Sequence, residues 1–262
     1  MHLAVWRKAA RAGLVCGLAC ALLGALAPAG RADEQRVKRL SVAIYAMPTS
    51  FALGDFNKQI QVLNQGSQAF GLAPIGKIHA GAVFGAEGKY FASRHIAISV
   101  GVGKIARTSK LDLTPQVGSH VIVLGRVLAV PRTLGADYYF EPYTRGDFTL
   151  RPFVGGGMMD LVSTKIKIGA AFTSPDTTFD FFSRLKGDGS GFYVESGIHL
   201  MFPSRYSVLL NLNYRNARVR RMYDERTHVL AYGANGKPYS LDLSGVGLRF
   251  GIGINLRGKP PE

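Results

Sequence analysis

From Val246 to Leu256 the chain alternates without a slip. Val246, Leu248, Phe250, Ile252, Ile254 and Leu256 are large and apolar, and between them stand Gly247, Arg249, Gly251, Gly253 and Asn255. Period two puts the two sets on opposite faces of a β-strand. The apolar face has the length of a strand that crosses a bilayer, about 9 to 11 residues, and the other face is small and polar, as a barrel interior requires.

Seven earlier stretches repeat this two-faced pattern. Alternation predicts strands over 39–47, 75–91, 95–107, a fourth run ending near 140, then 148–161, 191–202 and 206–217, before the last strand at 241–256. In the second, Ile78, Ala80, Ala82, Phe84 and Tyr90 are expected outward and His79, Gly81, Gly85, Glu87 and Lys89 inward. In the fourth, Asp137 wants the interior, which sends Arg132 to the lipid side, and a bulge near Pro131 would relieve the conflict. The segment 48–74 changes period: Asp55 can cap a helix, and Phe56, Ile60, Leu63 and Phe70 fall near one face. That predicts a short amphipathic helix covering one mouth of the barrel. The segment 162–189 reads as a loop in which 165–172 could extend a strand above the membrane, and 218–238 reads as a basic loop.

Long connections thus follow strands one, three, five and seven, and short turns follow two, four and six. The expected fold is an all-β, eight-stranded antiparallel up-and-down transmembrane β-barrel with a short helix in its first long loop. The asymmetry puts long loops outside and short turns, with both termini, in the periplasm.

The start of the chain reads as an export signal: Arg7, Lys8 and Arg11, an apolar run over 14–26, and Gly30-Arg31-Ala32 as a small-residue exit. The expected organisation is a cleaved signal over 1–32, a periplasmic leader over 33–38, the barrel over 39–257 and a tail over 258–262. Cys16 and Cys20 both lie in the signal, so disulfides, cysteine-held metals and thiol catalysis leave the mature chain together. The whole chain carries 32 basic and 17 acidic residues. The signal holds four of the basic ones and no acid, leaving 28 against 17, or +11. For an exported protein such a charge points to anionic head groups and phosphates of a membrane surface and away from nucleic acid.

The run Pro152-Phe153-Val154-Gly155-Gly156-Gly157 is similar to a strand common among the small outer-membrane barrels of the OmpA and OmpW kind, and the overall pattern over 39–257 resembles that group. The resemblance implies outer-membrane lipid as the surroundings and barrel-assembly machinery as a partner during biogenesis. Ser244-Gly245-Val246-Gly247-Leu248-Arg249-Phe250 resembles the signal that such machinery reads. The chain departs from the usual pattern by ending Arg-Gly-Lys-Pro-Pro-Glu instead of on an aromatic.

An eight-stranded barrel is just wide enough for side chains to fill. The inward charges and polar groups, Glu87, Lys89, Arg151, Glu195, His199, Arg215 and Arg249, are therefore expected to form a paired plug, because buried charge persists only when paired. A narrow polar path is the alternative. Some small barrels modify the lipid part of lipopolysaccharide with His, Ser and an acid. Here His199 and Ser207 lie diagonally across a hairpin, roughly 7 to 8 Å apart, and Glu195 lies about 13 Å along the strand from His199. The pair also falls near the periplasmic end, so no catalytic residue is assigned.

Outside, Arg218, Arg220, Arg221 and Arg226 form a cluster able to match lipopolysaccharide phosphates. Gly85-Ala86-Glu87-Gly88-Lys89 lacks the strand-to-helix setting of a phosphate loop. Arg145-Gly146-Asp147 falls in a short turn, and the histidines show no metal-ligand spacing, so no metal and no cofactor are expected. The reading is a non-enzymatic outer-membrane protein with a structural, surface-interaction or minor transport role. The alternatives are a narrow channel for small or apolar solutes and, behind it, a lipid-modifying enzyme. An alternating face encodes a solvent, so no solute or protein partner can be named.

Overall fold

Each strand pairs antiparallel with its sequence neighbours, and the last closes on the first. The computed structural model describes residues 40–69, 73–114, 120–146, 148–203, 205–233 and 236–256. The expected signal at 1–32, the expected leader at 33–38, Arg39, Arg257 and the residues at 258–262 lie outside them. The ring consists of β1 (Leu40–Ser50), β2 (Ala80–Phe91), β3 (Ile96–Leu113), β4 (His120–Tyr139), β5 (Phe148–Thr173), β6 (Thr178–Met201), β7 (Tyr206–Val219) and β8 (Gly245–Leu256). Closure comes from β8 lying between β7 and β1, with Leu256 opposite Leu40.

Paired positions followed once round the ring run Leu40, Tyr90, Ile98, Ala136, Gly156, Val194, Tyr214 and Val246. They re-enter β1 at Ser50, one step past the Thr49–Gly247 pair, a stagger of ten residues. Such a stagger tilts the strands by about 35 to 45° from the axis. Full closure satisfies every strand edge, which a barrel in hydrocarbon must do.

The apolar members of the alternation face outward. Ile252, Phe84, Ile44 and Met158 are 64, 62, 69 and 74% exposed, an unusual position for large apolar side chains in water and the ordinary one in lipid. No helix among the described residues is long and apolar enough to cross a membrane. The strands do the crossing.

Above this belt the alternation reverses. On β3 the outward series Ile96, Ile98, Val100, Val102 gives way to Lys104; on β4 Leu134 gives way to Arg132, and on β5 Met158 to Asp160. The inward positions turn apolar at the same place: Ile105, Val127, Val123, Leu161, Ile166, Ile168 and Leu185 are buried and form one core. Helix α1 (Gly54–Ala69) completes that core from above. Its Phe56 and Ile60 are fully buried over Gly125, where an added Cβ would sit 3.2 Å from the Phe56 ring.

Several sequence expectations need correction here. Strand β2 begins at Ala80 and not at 75, because 73–79 is extended along α1: Asn64 pairs with both backbone groups of Ile75, and Asn57 with both of Ile78, each at 2.9 Å. Ile78 is consequently buried, not outward, and His79 is exposed. Asp55 sits in the first turn of α1 and not at its cap, accepting a bond from Ser240 Oγ at 2.8 Å; Phe70 lies outside the described residues. The segment 162–189 is no loop. β5 and β6 run on to a turn at 174–177, well above the belt.

A register shift does fall near Pro131, between Leu128 and Val130 of β4, but the extra residue stands on β5. Pairing shifts by one between Leu161 and Thr164, where Ser163 has φ 53° and its N–H bonds Asp188 Oδ1 at 2.9 Å. Arg132 does face outward, directly opposite the equally exposed Asp160. Finally, 241–256 is one register broken in the middle. Leu241–Asp242 pairs with Val219 and Arg218 of β7, the chain interrupts at 243–244, and β8 resumes at Gly245.

Candidate functional site

The lower lumen takes one or two residues from each of several strands. Glu87 and Lys89 come from β2, Asp137 from β4, Glu195 from β6 and Arg249 from β8, and all five are buried. Alternate strands place their inward side chains at one level, so these five meet on the axis. Lys89 Nζ lies 2.7 Å from Asp137, 3.2 Å from Glu87 and 3.8 Å from Glu195. Arg249 Nη1 lies 2.7 Å from Glu87 and 3.2 Å from Glu195. Asn211 on β7 donates to Glu195 at 2.7 Å, and Asn213 at 3.4 Å. Aromatic faces bound the cluster, with Phe153 4.4 Å from Lys89 and Tyr45 4.5 Å from Arg249.

Of the predicted lumen residues, four join this cluster and three stand apart. Arg215 rises to the roof, where its Nε and Nη2 donate to the carbonyls of Leu243 at 2.7 Å and Ser50 at 3.0 Å, over the Phe51 ring. Arg151 drops to the floor, donating to the Arg94 carbonyl and lying over Tyr139. His199 also lies low, its Nδ1 3.3 Å from the Tyr139 hydroxyl. Asp137 is the member that the site reading passed over. Its inward parity on β4 was visible, but its role as the nearest acid to Lys89 depends on which strands face each other across the ring.

The lumen is closed at two levels. The ion-paired layer seals the half near the short turns, and the apolar core under α1 seals the half near the long loops. A space of about 10 Å³ beside the ionic layer is lined by Ser41, Ala43, Glu87, Lys89, His199 and Leu209. That is room for about one water molecule. His199 and Ser207 occupy diagonal positions across β6 and β7 as expected, both buried inside the wall.

The four predicted outer arginines, Arg218, Arg220, Arg221 and Arg226, are all exposed at the long-loop end. Three of them, with Asp188, Gly189, Ser190 and Tyr223, line a groove of about 620 Å³ on the outer wall between β6 and β7. Arg218 Nη2 meets Asp242 at 2.7 Å. Burial pushes the Asp242 carboxyl up, but hydrogen bonds from Ser244 and Arg218 more than offset it and hold the group below the usual carboxylate range. Arg226 stands beside Asp224, whose carboxyl is lowered mainly by bonds from Thr227 and the Arg226 N–H. Gly85 to Lys89 lies in β2, and Arg145 and Gly146 lie in the β4–β5 turn, with Asp147 outside the described residues. No group of three or more metal-ligating side chains occurs among the described residues.

No protein-family model matches the chain, and no curated protein matches it. Solved structures overlap it loosely. Outer membrane protein OprG from Pseudomonas aeruginosa is 12% identical, with 84% of this chain and 97% of that one covered at a TM-score of 0.45. Outer membrane protein AlkL, determined in lipid bilayers, is 17% identical over 90% and 98% at 0.44. The N-terminal β-barrel domain of Pseudomonas aeruginosa OprF is 13% identical over 82% and 96% at 0.33.

Proposed function

We propose that the protein is an integral, non-enzymatic outer-membrane barrel that acts through its outer surface and long loops and conducts nothing through its lumen. One observation carries this reading: a five-member ionic layer and a separate apolar layer under α1 both cross the lumen, and either alone would stop an ion. The exposed apolar belt supports the membrane setting. The long loops lie outside the cell and the short turns in the periplasm, and the Leu40–Leu256 pairing puts both strand ends with the turns.

Arg218, Arg220, Arg221 and Arg226 contact lipopolysaccharide phosphates, since they ring the outer end of β7. The β8 segment Ser244–Phe250 is read by barrel-assembly machinery during insertion. A lipid-modifying activity is the weaker reading because Ser207 and His199 are sealed inside the wall, near the turns and away from the outer leaflet. The test is single-channel recording of the purified, reconstituted protein. Silent bilayers are expected, and discrete, reproducible conductance would overturn the closed-lumen reading.

A further inference from the structure

Above the belt, the outward faces of β4, β5 and β6 carry cations set directly against one another. In one row of paired residues stand Arg126, Lys167 and Arg184. In the next, Lys165 faces Lys186. Like charges directly opposite across an antiparallel pair are destabilising. Here three like-charged cross-strand pairs occur on one wall. The inward faces at the same level are buried against the apolar core and α1, so these side chains have no choice of direction.

Among the described residues, Glu225 alone forms an ion pair with this patch, at 2.5 Å from Lys165 Nζ. Its carboxyl is held below the usual range, first by the Lys165 hydrogen bond and then by the nearby charges of Lys165, Arg184 and Lys186. One carboxylate is thus shared among several cations. Among the described residues, Arg126, Arg184 and Lys186 have no paired acid.

Height identifies what could neutralise them. From Phe140 near the turn end to Arg126 is about 46 Å of strand at ~3.3 Å per residue, or about 35 Å of height at a tilt near 40°. A belt about 25 Å tall then leaves Arg126 about 10 Å above the hydrocarbon, where head groups lie. Below the patch the outward face of β4 carries Leu128 and Val130, then Arg132 opposite Asp160, then the lipid-facing Leu134, so whatever sits on the patch borders the same leaflet.

We propose that this wall is a docking site for the phosphorylated head group of the surrounding glycolipid, with Arg126, Lys167 and Arg184 as its central row and Lys186 beside them. It is separate from the Arg218–Arg221 groove, and it rests on the reading that the long loops lie at the outer leaflet. Phosphate oxygens accept from arginine forks two at a time and can bridge neighbouring rows, turning mutual repulsion into shared attraction.

The experiment compares the full chain with R126Q/K167Q/R184Q, and with K58Q/K77Q/K110Q, which removes the same charge elsewhere at the same end. Each is folded into phosphatidylcholine vesicles alone, with added lipopolysaccharide, or with dephosphorylated lipopolysaccharide, and its thermal midpoint and bound glycolipid are measured. In phosphatidylcholine the wall variant should be as stable as the native chain or more so, because repulsion has been relieved. With lipopolysaccharide the order should reverse, and glycolipid retention by the wall variant should fall roughly tenfold. The control variant should follow the native chain throughout, and dephosphorylated lipid should abolish the difference.

A wall variant less stable in both bilayers, or equal retention by all three proteins, overturns the proposal. So does equal stabilisation of the native chain by soluble dextran sulfate in phosphatidylcholine, which would make the occupant a soluble polyanion. A native chain that inserts into no vesicle at all overturns the membrane reading beneath it, and that outcome is distinct from the others.

Discussion

The two halves of this lumen solve the same problem with opposite chemistry. Near the turns the interior is ionic and the exterior apolar; near the loops the interior is apolar and the exterior charged. The same strands pass through both halves, so one backbone serves two solvents. Below Lys104, Arg132 and Asp160 the outside is hydrocarbon, and polar side chains must gather on the axis. Above them the outside is water and head groups, and β4, β5 and β6 become the wall of a soluble-type core with α1 as its lid. The reversal of polarity, more than any loop, marks where the membrane ends.

The largest effect should come from breaking the ionic half. Arg249 is 3% exposed and is the cation that binds Glu87 and Glu195 at once. Arg249→Leu leaves three carboxylates, Glu87, Glu195 and Asp137, with Lys89 alone to offset them. Removing one partner of a buried pair costs about 3 to 5 kcal/mol. Denaturant unfolding from vesicles, read by the mobility difference between folded and heated protein, measures it. A loss below about 1 kcal/mol would mean that the layer is wet and open, and the closed-lumen reading would fall with it.

How much of this was legible in the sequence follows from the same comparison. In the lower half each face meets one medium, so period two alone recovers the strands and the outward belt, and Glu87, Lys89, Glu195 and Arg249, on the inward parity, meet in one layer. The upper half defeated it for two reasons. Between Lys165 and Lys186 the apolar members Ile166, Ile168 and Leu185 point inward and the charges outward, the reverse of the membrane code, and the inserted Ser163 switches parity just before that stretch begins. A stretch that changes both polarity and parity looks like a mixed loop. Likewise Ile78 fits the outward series of β2 by spacing, but Asn57 on α1 holds it inward. No local pattern announces a helix that stands in for a neighbouring strand. The outer arginines were legible as a charge run; the Arg126–Lys167–Arg184 row was not, because its members are far apart in sequence and meet only through register.

A middle-sized effect should locate the reversal. Ile252→Arg, on a lipid-facing position of β8, is expected to cost about 2 to 4 kcal/mol near the bilayer midplane, and Leu124→Arg, on the outward face of β4 beyond Arg126, about 0 to 1 kcal/mol. Asn255, at the end of the inward series, is no mild control for this test: it is fully buried, so an arginine there would overfill the lumen. The readout is folding into vesicles. Equal cost at Ile252 and Leu124 would erase the boundary between the halves.

The smallest effect concerns the same ion-pair chemistry placed on the other side of that boundary. Arg218 and Asp242 meet at 2.7 Å, as close as Arg249 and Glu87, but their side chains are 56 and 23% exposed, against 4 and 2% for the lumen pair. Water screens the outer pair and hydrates each member once its partner is gone, so a double-mutant cycle with Arg218→Gln and Asp242→Asn should return a coupling of about 0.2 to 1 kcal/mol. Its pH dependence has a definite sign. The Asp242 carboxyl titrates lower in the folded protein than in the unfolded chain, where about 3.9 is usual. The stabilisation is therefore fully present above that value and is lost as pH falls through the lower, folded one. The cycle run at pH 7 and again at a pH below the folded-state value should show the coupling at the first and little at the second. A coupling as large as that expected at Arg249 would mean that the loop end is buried, by lipid head groups or a partner, and that the upper half does not face open water.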